Sequence, residues 1–365
     1  MAFLKNSWYC AGWSSDLVER PRGLKILGEE VVLYRRKEQG DAVALSGICP
    51  HRFARLARGK VVGDNIECPY HGLQFNSAGQ CAHNPHSSAI PRSAHVKSHP
   101  LVERHGACWI WMGDPNLANP GTIPAFDFVS DRKKWAGLTG YLRIESNYQL
   151  VLDNLLDLTH AAFIHVGTVG VKADEWIGES KMEHDFSVKD GIIHSDYIFR
   201  NSPPTPLFAL FSGMKVGDIH SPMALYPAST LILDLKMVEP DQALADGAHM
   251  PSAHFIVPET ETSCHYFYAI SRNMKLEDDK ITAGMGELVR RAFVEEDAPI
   301  ISEVQSVMGD AEFFSLRPVL LKGDIAAVQA RRVLAQLIQK ENTAGLKIGE
   351  FERARQAGEE VERVQ

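Results

Sequence analysis

The chain has 365 residues, of which 45% are hydrophobic and 23% charged, and its formal net charge is −8. This composition excludes a disordered or fibrous protein, and the excess of acids over bases argues against general affinity for nucleic-acid backbones. The length suggests about two folding units with sizeable cores.

The opening, MAFLKNSWYCAGW, lacks the charged and then apolar regions of a secretory signal, and no window approaches the ~18 apolar residues of a membrane helix. A cytoplasmic protein with no membrane partner is expected, its six cysteines being free thiols or metal ligands rather than disulfides. From about Leu24 to Met112, runs such as EVVLYRR, DAVALSG, NIECPYHGLQF and ACWIWMG are broken by Gly, Asn and Asp, which predicts an antiparallel β-rich unit. The Pro- and Gly-rich stretch at residues 113–126 is the expected linker, dividing the chain into units of residues 1–120 and 121–365. Beyond it, a strand-like run passes into a helical pattern with apolar residues at Leu150, Val151, Leu155, Leu158 and Ala161. Residues 219–272 predict further strands, and residues 281–309 and 324–341 predict helices. The charged end, GEFERARQAGEEVERVQ, reads as a solvated helix or frayed tail.

The first constellation is Cys49-Pro50-His51 followed by Cys68-Pro69-Tyr70-His71, giving C-x-H-x16-C-x-x-H. Zinc accepts two thiolates and two imidazoles, but its sites usually pair Cys with Cys and His with His. A [2Fe–2S] centre with two Cys on one iron and two His on the other accounts better for one of each per loop. The two boxes resemble the Rieske motif. Ala54 and Tyr70 stand where respiratory Rieske proteins carry an extra disulfide-forming pair, so the resemblance is to the oxygenase and ferredoxin branch.

The second constellation is DNLLDLTHAAFIH, with Asp157, His160 and His165. On an ideal helix two residues five apart point about 140° from each other. Sharing one metal therefore requires a helix break, expected near Ala162 to Ile164. Asp157 lies on the helical face of His160, placed to receive its second ring N–H. Two structural histidines near a helix end fit the pair equally well. A two-His site for oxygen chemistry needs a carboxylate and open positions, and RAFVEEDAPIISEVQ offers Glu295, Glu296 and Asp297. A helical wheel groups Phe293, Asp297, Ile300, Ile301 and Val304 on one face and turns Glu295 away, which selects Asp297 as the ligand. Pro299 is able to shift that phase.

Together the pattern N-x-x-D-x-x-H-x4-H and the late Asp are similar to the catalytic domain of Rieske non-haem iron oxygenases. The stretches at residues 48–54, 68–73 and 81–86 place the resemblance in the single-subunit group that includes vanillate and dicamba O-demethylases. It implies an α+β protein: an N-terminal all-β Rieske domain, then a catalytic domain with an antiparallel β-sheet flanked by helices. It also implies a Rieske cluster on Cys49, His51, Cys68 and His71, and Fe(II) on His160, His165 and Asp297. Oxygen would be the co-substrate. A head-to-tail homotrimer is implied, in which Asp157 joins His71 of one subunit to His160 of the next, with Asn154 beside the iron. No G-x-G-x-x-G follows a strand, so NAD(P)H is expected on a separate reductase or ferredoxin partner. The basic run Arg52, Arg55, Arg58 and Lys60 is a candidate landing patch for it, or an ordinary solvated surface.

The resemblance gives His254 the role of reaching a substrate carboxylate, with a core histidine as the alternative. The relative's neighbouring Asn falls here at Leu233 or Asp234. His265, Cys264, Cys10 and Cys108 are expected to pack rather than ligate. The implied activity is O-demethylation of a small carboxylated, methoxylated aromatic, releasing formaldehyde. The alternatives are N-demethylation, side-chain hydroxylation, ring cis-dihydroxylation, or an electron carrier without catalysis.

Overall fold

The computed structural model describes residues 3–362 apart from residues 19, 179, 240 and 241, with side chains described to residue 344. Short strands fill the N-terminal third: β1 (Trp8–Trp13), β2 (Arg22–Ile26), β3 (Glu29–Arg35), β4 (Ala42–Ser46), β5 (Lys60–Val62), β6 (Asn65–Glu67), β7 (Gln74–Phe75), β8 (Cys81–His83), β9 (Ser98–His99), β10 (Leu101–Arg104) and β11 (Ala107–Trp111). They pair antiparallel into three small sheets, ordered β1-β11-β10, β2-β3-β4-β9 and β5-β6-β7-β8. The run VVLY in β3 has no polar alternation because both faces are covered. Val31 and Leu33 join the main core, whereas Val32 and Tyr34 join a second core that also holds Cys49, Cys68 and Cys81.

The anticipated linker is a docked strap. Two single turns, Pro115–Leu117 and Pro120–Thr122, are capped by the side chains of Asp114 and Asn119, and Ile123 and Phe126 beyond them are buried. Trp8 Nε1 donates to the Asn119 carbonyl at 2.9 Å and Arg104 to that of Pro120 at 2.9 Å. Pro and Gly mark turns here, and the apolar residues between them fix the strap to the core.

The second part is built on one seven-stranded antiparallel sheet. Its strands are β12 (Ala136–Ile144), β13 (Met182–Lys189), β14 (Ile192–Ser202), β15 (Gly217–Tyr226), β16 (Thr230–Val238), β17 (Ala248–Thr260) and β18 (Ser263–Arg272), ordered β12-β18-β17-β16-β15-β14-β13. The helices are α1 (Tyr148–Leu156), α2 (Ala161–Ile164), α3 (Ala173–Trp176), α4 (Pro206–Ala209), α5 (Asp279–Arg290), α6 (Ala298–Met308) and α7 (Ile325–Glu362). The backbone of the charged end is thus helical to Glu362. Among the described residues no helix is long and apolar enough to cross a membrane. The two parts share a core: the Trp109 and Phe126 rings lie 5.0 and 5.2 Å from that of Phe255 on β17, and Trp13 Nε1 donates to the Gly140 carbonyl at 3.1 Å.

Helix α7 is tied to α1 by Arg331, which is 8% exposed, donates to Asp153 through Nε at 3.0 Å and to Gln149 at 2.9 Å, and lies over the Phe313 ring. Removing the cation strands the Asp153 carboxylate in a largely dry setting, so Arg331→Ala is expected to cost about 3 kcal/mol in urea denaturation.

Candidate functional site

The two Cys-His loops have the same backbone wiring. Cys49 N donates to the Ala54 carbonyl at 2.9 Å and Phe53 N returns to that of Cys49 at 3.0 Å; Cys68 N donates to Leu73 at 2.8 Å and Gly72 N returns to Cys68 at 3.1 Å. Each loop turns through a left-handed residue at the fifth position, Phe53 at φ 56° and Gly72 at φ 70°. The loops place the thiols at a buried base, 1% and 2% exposed, and the His51 and His71 rings at the rim with centroids 4.4 Å apart. Burial pushes the Cys49 thiol up to about 11, a cost that a bound metal offsets by holding the thiolate. Nδ1 of His71 is buried and without a hydrogen-bond partner among the described residues. Two converging thiols below two converging imidazoles, one with an unsatisfied nitrogen, fit a cluster with mixed ligands. All six cysteines are free and buried, so none is spent on a disulfide. Of the basic run, Arg55 is paired with Glu30 at 2.8 Å and Lys60 with Glu67 at 3.1 Å.

The second cluster arises where α1 stops. Asp157 takes an extended conformation, φ −111° and ψ 94°, and its carboxylate accepts from Thr159 N at 2.9 Å and Thr159 Oγ1 at 2.6 Å. That cap restarts the chain in a tight turn over Leu158–His160, which runs on through α2 to His165. The helix end expected between Ala162 and Ile164 falls at Ile164, with His165 as the cap, and a second interruption not expected from the sequence lies earlier, at Asp157. His165 caps the end of α2 in a non-helical conformation, φ −113° and ψ 17°, and its ring lies 5.1 Å from that of His160. The Nδ1 of His160 donates to the backbone carbonyl of Asp157 rather than to its carboxylate. The carboxylate is occupied as the cap.

Asp297 closes the set. His165 Nε2 lies 3.1 Å and His160 Nε2 3.6 Å from its Oδ1, and one ligand atom from each of the three residues falls within 4.8 Å of the others. Asn154 Nδ2 donates to the same Oδ1 at 3.1 Å. The carboxylate ends a π-helical stretch, Arg291–Asp297, between α5 and α6. Wider π turns shift the helical phase, so the buried stripe is Phe293, Asp297, Ile301 and Gln305, while Ile300 and Val304 are 46% and 41% exposed. The expected stripe of Ile300 and Val304 is thus corrected, and Asp297 nonetheless faces inward. Glu295 points out to Arg290 at 2.7 Å.

The sequence offers Glu296 only as an alternative ligand and gives no sign of its position behind His165. Its Oε2 accepts from His165 Nδ1 at 2.7 Å and from Thr168 Oγ1 at 2.6 Å. Glu296 and Asp297, consecutive at the end of the π-helical stretch, grip the two nitrogens of the one His165 ring. Burial lowers the pKa of His160. Burial also works against charge on His165, but the Asp297 and Glu296 carboxylates outweigh it and raise its pKa. Both Nδ1 atoms are held by oxygen acceptors, which presents both Nε2 lone pairs to a metal. Glu296→Gln is expected to weaken mononuclear iron about 10-fold, read by equilibrium dialysis, because an amide neighbour no longer favours that tautomer.

A cavity of about 100 Å³, on the scale of one aromatic ring, opens over the triad and Asn154 and is floored by β14 to β18. Leu231, Leu233, Leu235, Met250 and Ile270 give it an apolar floor, and Phe293 covers one side. His254 lines it but is 3% exposed, with Nε2 2.8 Å from Ser252 Oγ and Nδ1 2.7 Å from the Tyr266 hydroxyl. Leu233 faces the cavity, while Asp234 pairs with Lys236 at 3.0 Å and with His249.

A small β-domain with two Cys-His loops, joined to a sheet-and-helix domain with a two-His, one-carboxylate cluster at an apolar cavity, defines a Rieske-type non-haem iron oxygenase. The Rieske [2Fe–2S] domain family matches residues 7–100, and the vanillate O-demethylase oxygenase C-terminal domain family matches residues 144–340. The chain belongs to this family of oxygenase components. It is 35% identical to the dicamba O-demethylase oxygenase component of Stenotrophomonas maltophilia, over 93% of this chain and 99% of that one. It is 34% identical to the chloroacetanilide N-alkylformylase oxygenase component of Rhizorhabdus wittichii, over 93% and 97%. The crystal structure of dicamba monooxygenase with non-heme iron and dicamba superposes with a TM-score of 0.81 at 34% identity, covering 94% of this chain and 100% of that one. The protein is therefore an oxidoreductase whose cofactors are a Rieske [2Fe–2S] cluster and a non-haem iron. As an oxygenase component it works with a separate reductase or ferredoxin on a small aromatic substrate.

Proposed function

We propose that the chain hydroxylates the methyl group of a small aryl methyl ether, so that the hemiacetal formed collapses to a phenol and formaldehyde. The sum is ether plus O₂, two electrons and two protons giving phenol, formaldehyde and water. The observation carrying this reading is the His160, His165 and Asp297 cluster at the wall of a ring-sized apolar cavity. In this reading Cys49, His51, Cys68 and His71 hold the cluster, and His160, His165 and Asp297 hold iron. Bound there, the iron supplies O₂ activation with electrons stored by the cluster. Asn154 orients the Asp297 carboxylate, Glu296 fixes the His165 tautomer, and the leucines of the floor exclude water while aligning the ring.

Electron delivery belongs to the same proposal: Asp157 relays between His71 of one subunit and His160 of the next in a cytoplasmic head-to-tail homotrimer. Exposed apolar residues support subunit contacts, namely Phe53 at 77% and Tyr70 at 63% beside the cluster loops and Val307 at 84% on α6. NAD(P)H would be consumed by the separate reductase.

N-dealkylation is the second reading, favoured by the 34% identity to the N-alkylformylase. The test is turnover of methoxylated arenes with a surrogate reductase. Formaldehyde and a phenol formed in step with O₂ uptake support O-demethylation; a cis-diol from the same arenes, or an amine from N-alkylanilines run beside them while the ethers are left untouched, replaces it.

A further inference from the structure

The cavity contains one polar group that nothing in the fold explains. Ser221 on β15 is 0% exposed, lines the cavity, and has no hydrogen-bond partner for its Oγ among the described residues. Other polar groups there are engaged: Ser252 with His254, His254 also with Tyr266, Thr205 with Phe208 N, and Asn154 with Asp297. A buried hydroxyl left unpaired costs free energy, and it is retained where a ligand completes it.

Charge narrows the ligand further. None of the described residues lining the cavity is Lys or Arg, and the ionisable residues are Asp297 and the three histidines. Burial drives His254 down to about 3, so it stays neutral at physiological pH. Its two ring nitrogens are already hydrogen-bonded. At the position anticipated for an amide partner, Leu233 presents only hydrocarbon. A carboxylate on the substrate would enter an apolar chamber in which no described side chain is a cation, and the iron that His160, His165 and Asp297 would hold is already partly neutralised by the Asp297 carboxylate.

Resting on the reading of this cavity as the substrate site of an aryl-ether oxygenase, we propose that the substrate is an uncharged methoxyarene carrying one polar substituent, and that Ser221 is the residue that recognises it. The substituent is one that accepts or exchanges a single hydrogen bond, such as an amide, ketone or phenol. On this proposal the substrate is neutral, where the resemblance implies a carboxylated one.

The test is calorimetric titration, under nitrogen, of the full chain loaded with both iron centres. The probes are the ortho, meta and para isomers of methoxybenzamide and methoxybenzoate, with methoxybenzene as the apolar reference. At least one benzamide is expected to bind about 10-fold more tightly than the benzoate of the same pattern. Ser221→Ala is expected to weaken that benzamide about 10-fold and leave methoxybenzene within about twofold. The substitution removes one oxygen, and an unchanged cluster spectrum confirms the fold. Benzoate binding as tight as benzamide, no binding by any benzamide, or an unchanged benzamide preference in the variant would overturn the proposal. Because no oxygen is present, a missing formaldehyde signal in turnover removes only the demethylation reading, and a reversed order of binding removes only this one.

Discussion

An Asp297→Ala variant is expected to bind mononuclear iron more than about 100-fold more weakly and to oxygenate nothing, while its Rieske spectrum stays that of the unaltered chain. The estimate is a lower bound, since losing even an outer partner of a ligand costs about 10–100-fold. Asp297 presents its carboxylate to the Nε2 atoms of His160 and His165, 3.6 and 3.1 Å away. Without it the site offers two nitrogens, and Glu296 is held behind His165 by that ring and by Thr168. Iron determined after equilibrium dialysis, alongside the visible absorption of the cluster, reads both centres in one sample. Iron retained at the unaltered affinity would show that Asp297 is not a ligand. Asp297 is 6% exposed and accepts from Asn154, so Ala removes a buried charge but leaves the Asn154 amide without its acceptor, and the unaltered cluster spectrum is the check that the fold survives.

Different parts of the molecule were legible to different depths. The Cys-His boxes could be read because each is a local loop whose wiring is set within six residues, with the turn at Gly72 visible as glycine. The matching turn at Phe53 was hidden, since φ 56° is uncommon for a bulky residue. Strands β16 and β18 announce themselves by the apolar stretches LIL and YFYAI, β18 being buried throughout, whereas β13 reads MEHDFSVK with no buried residue and gives no signal. The site was legible in its residue types and not in its turns. His160, His165 and Asp297 were selected by chemistry, but a wheel drawn at 3.6 residues per turn misplaces Ile300 and Val304, because a π-helical stretch intervenes, and gives no sign of Glu296 behind His165. The unpaired hydroxyl of Ser221 has no sequence signature at all; only the sheet register and the cavity give it meaning.

Asp157 allows the structural and the electronic roles of one side chain to be separated. Asp157→Asn is expected to keep iron, cluster and stability close to those of the unaltered chain and to slow substrate-dependent reoxidation of the reduced cluster by about 10–100-fold. Its carboxylate caps the turn that brings His160 toward His165, accepting from Thr159 N and Oγ1, and asparagine caps such turns as well as aspartate does. The hydrogen bond that orients His160 comes from the backbone carbonyl, which the substitution leaves in place. What asparagine removes is the negative charge beside the ring. Asp157→Ala, by contrast, should also lose the cap, at about 1 kcal/mol, and with it part of the iron. Stopped-flow reoxidation of the reduced cluster with O₂ and substrate, set beside iron content, distinguishes the two. If Asp157→Asn transfers electrons at the original rate while Asp157→Ala fails, the residue is a cap and the relay lies elsewhere; slow transfer in a fully metallated Asp157→Asn assigns the charge to the transfer step.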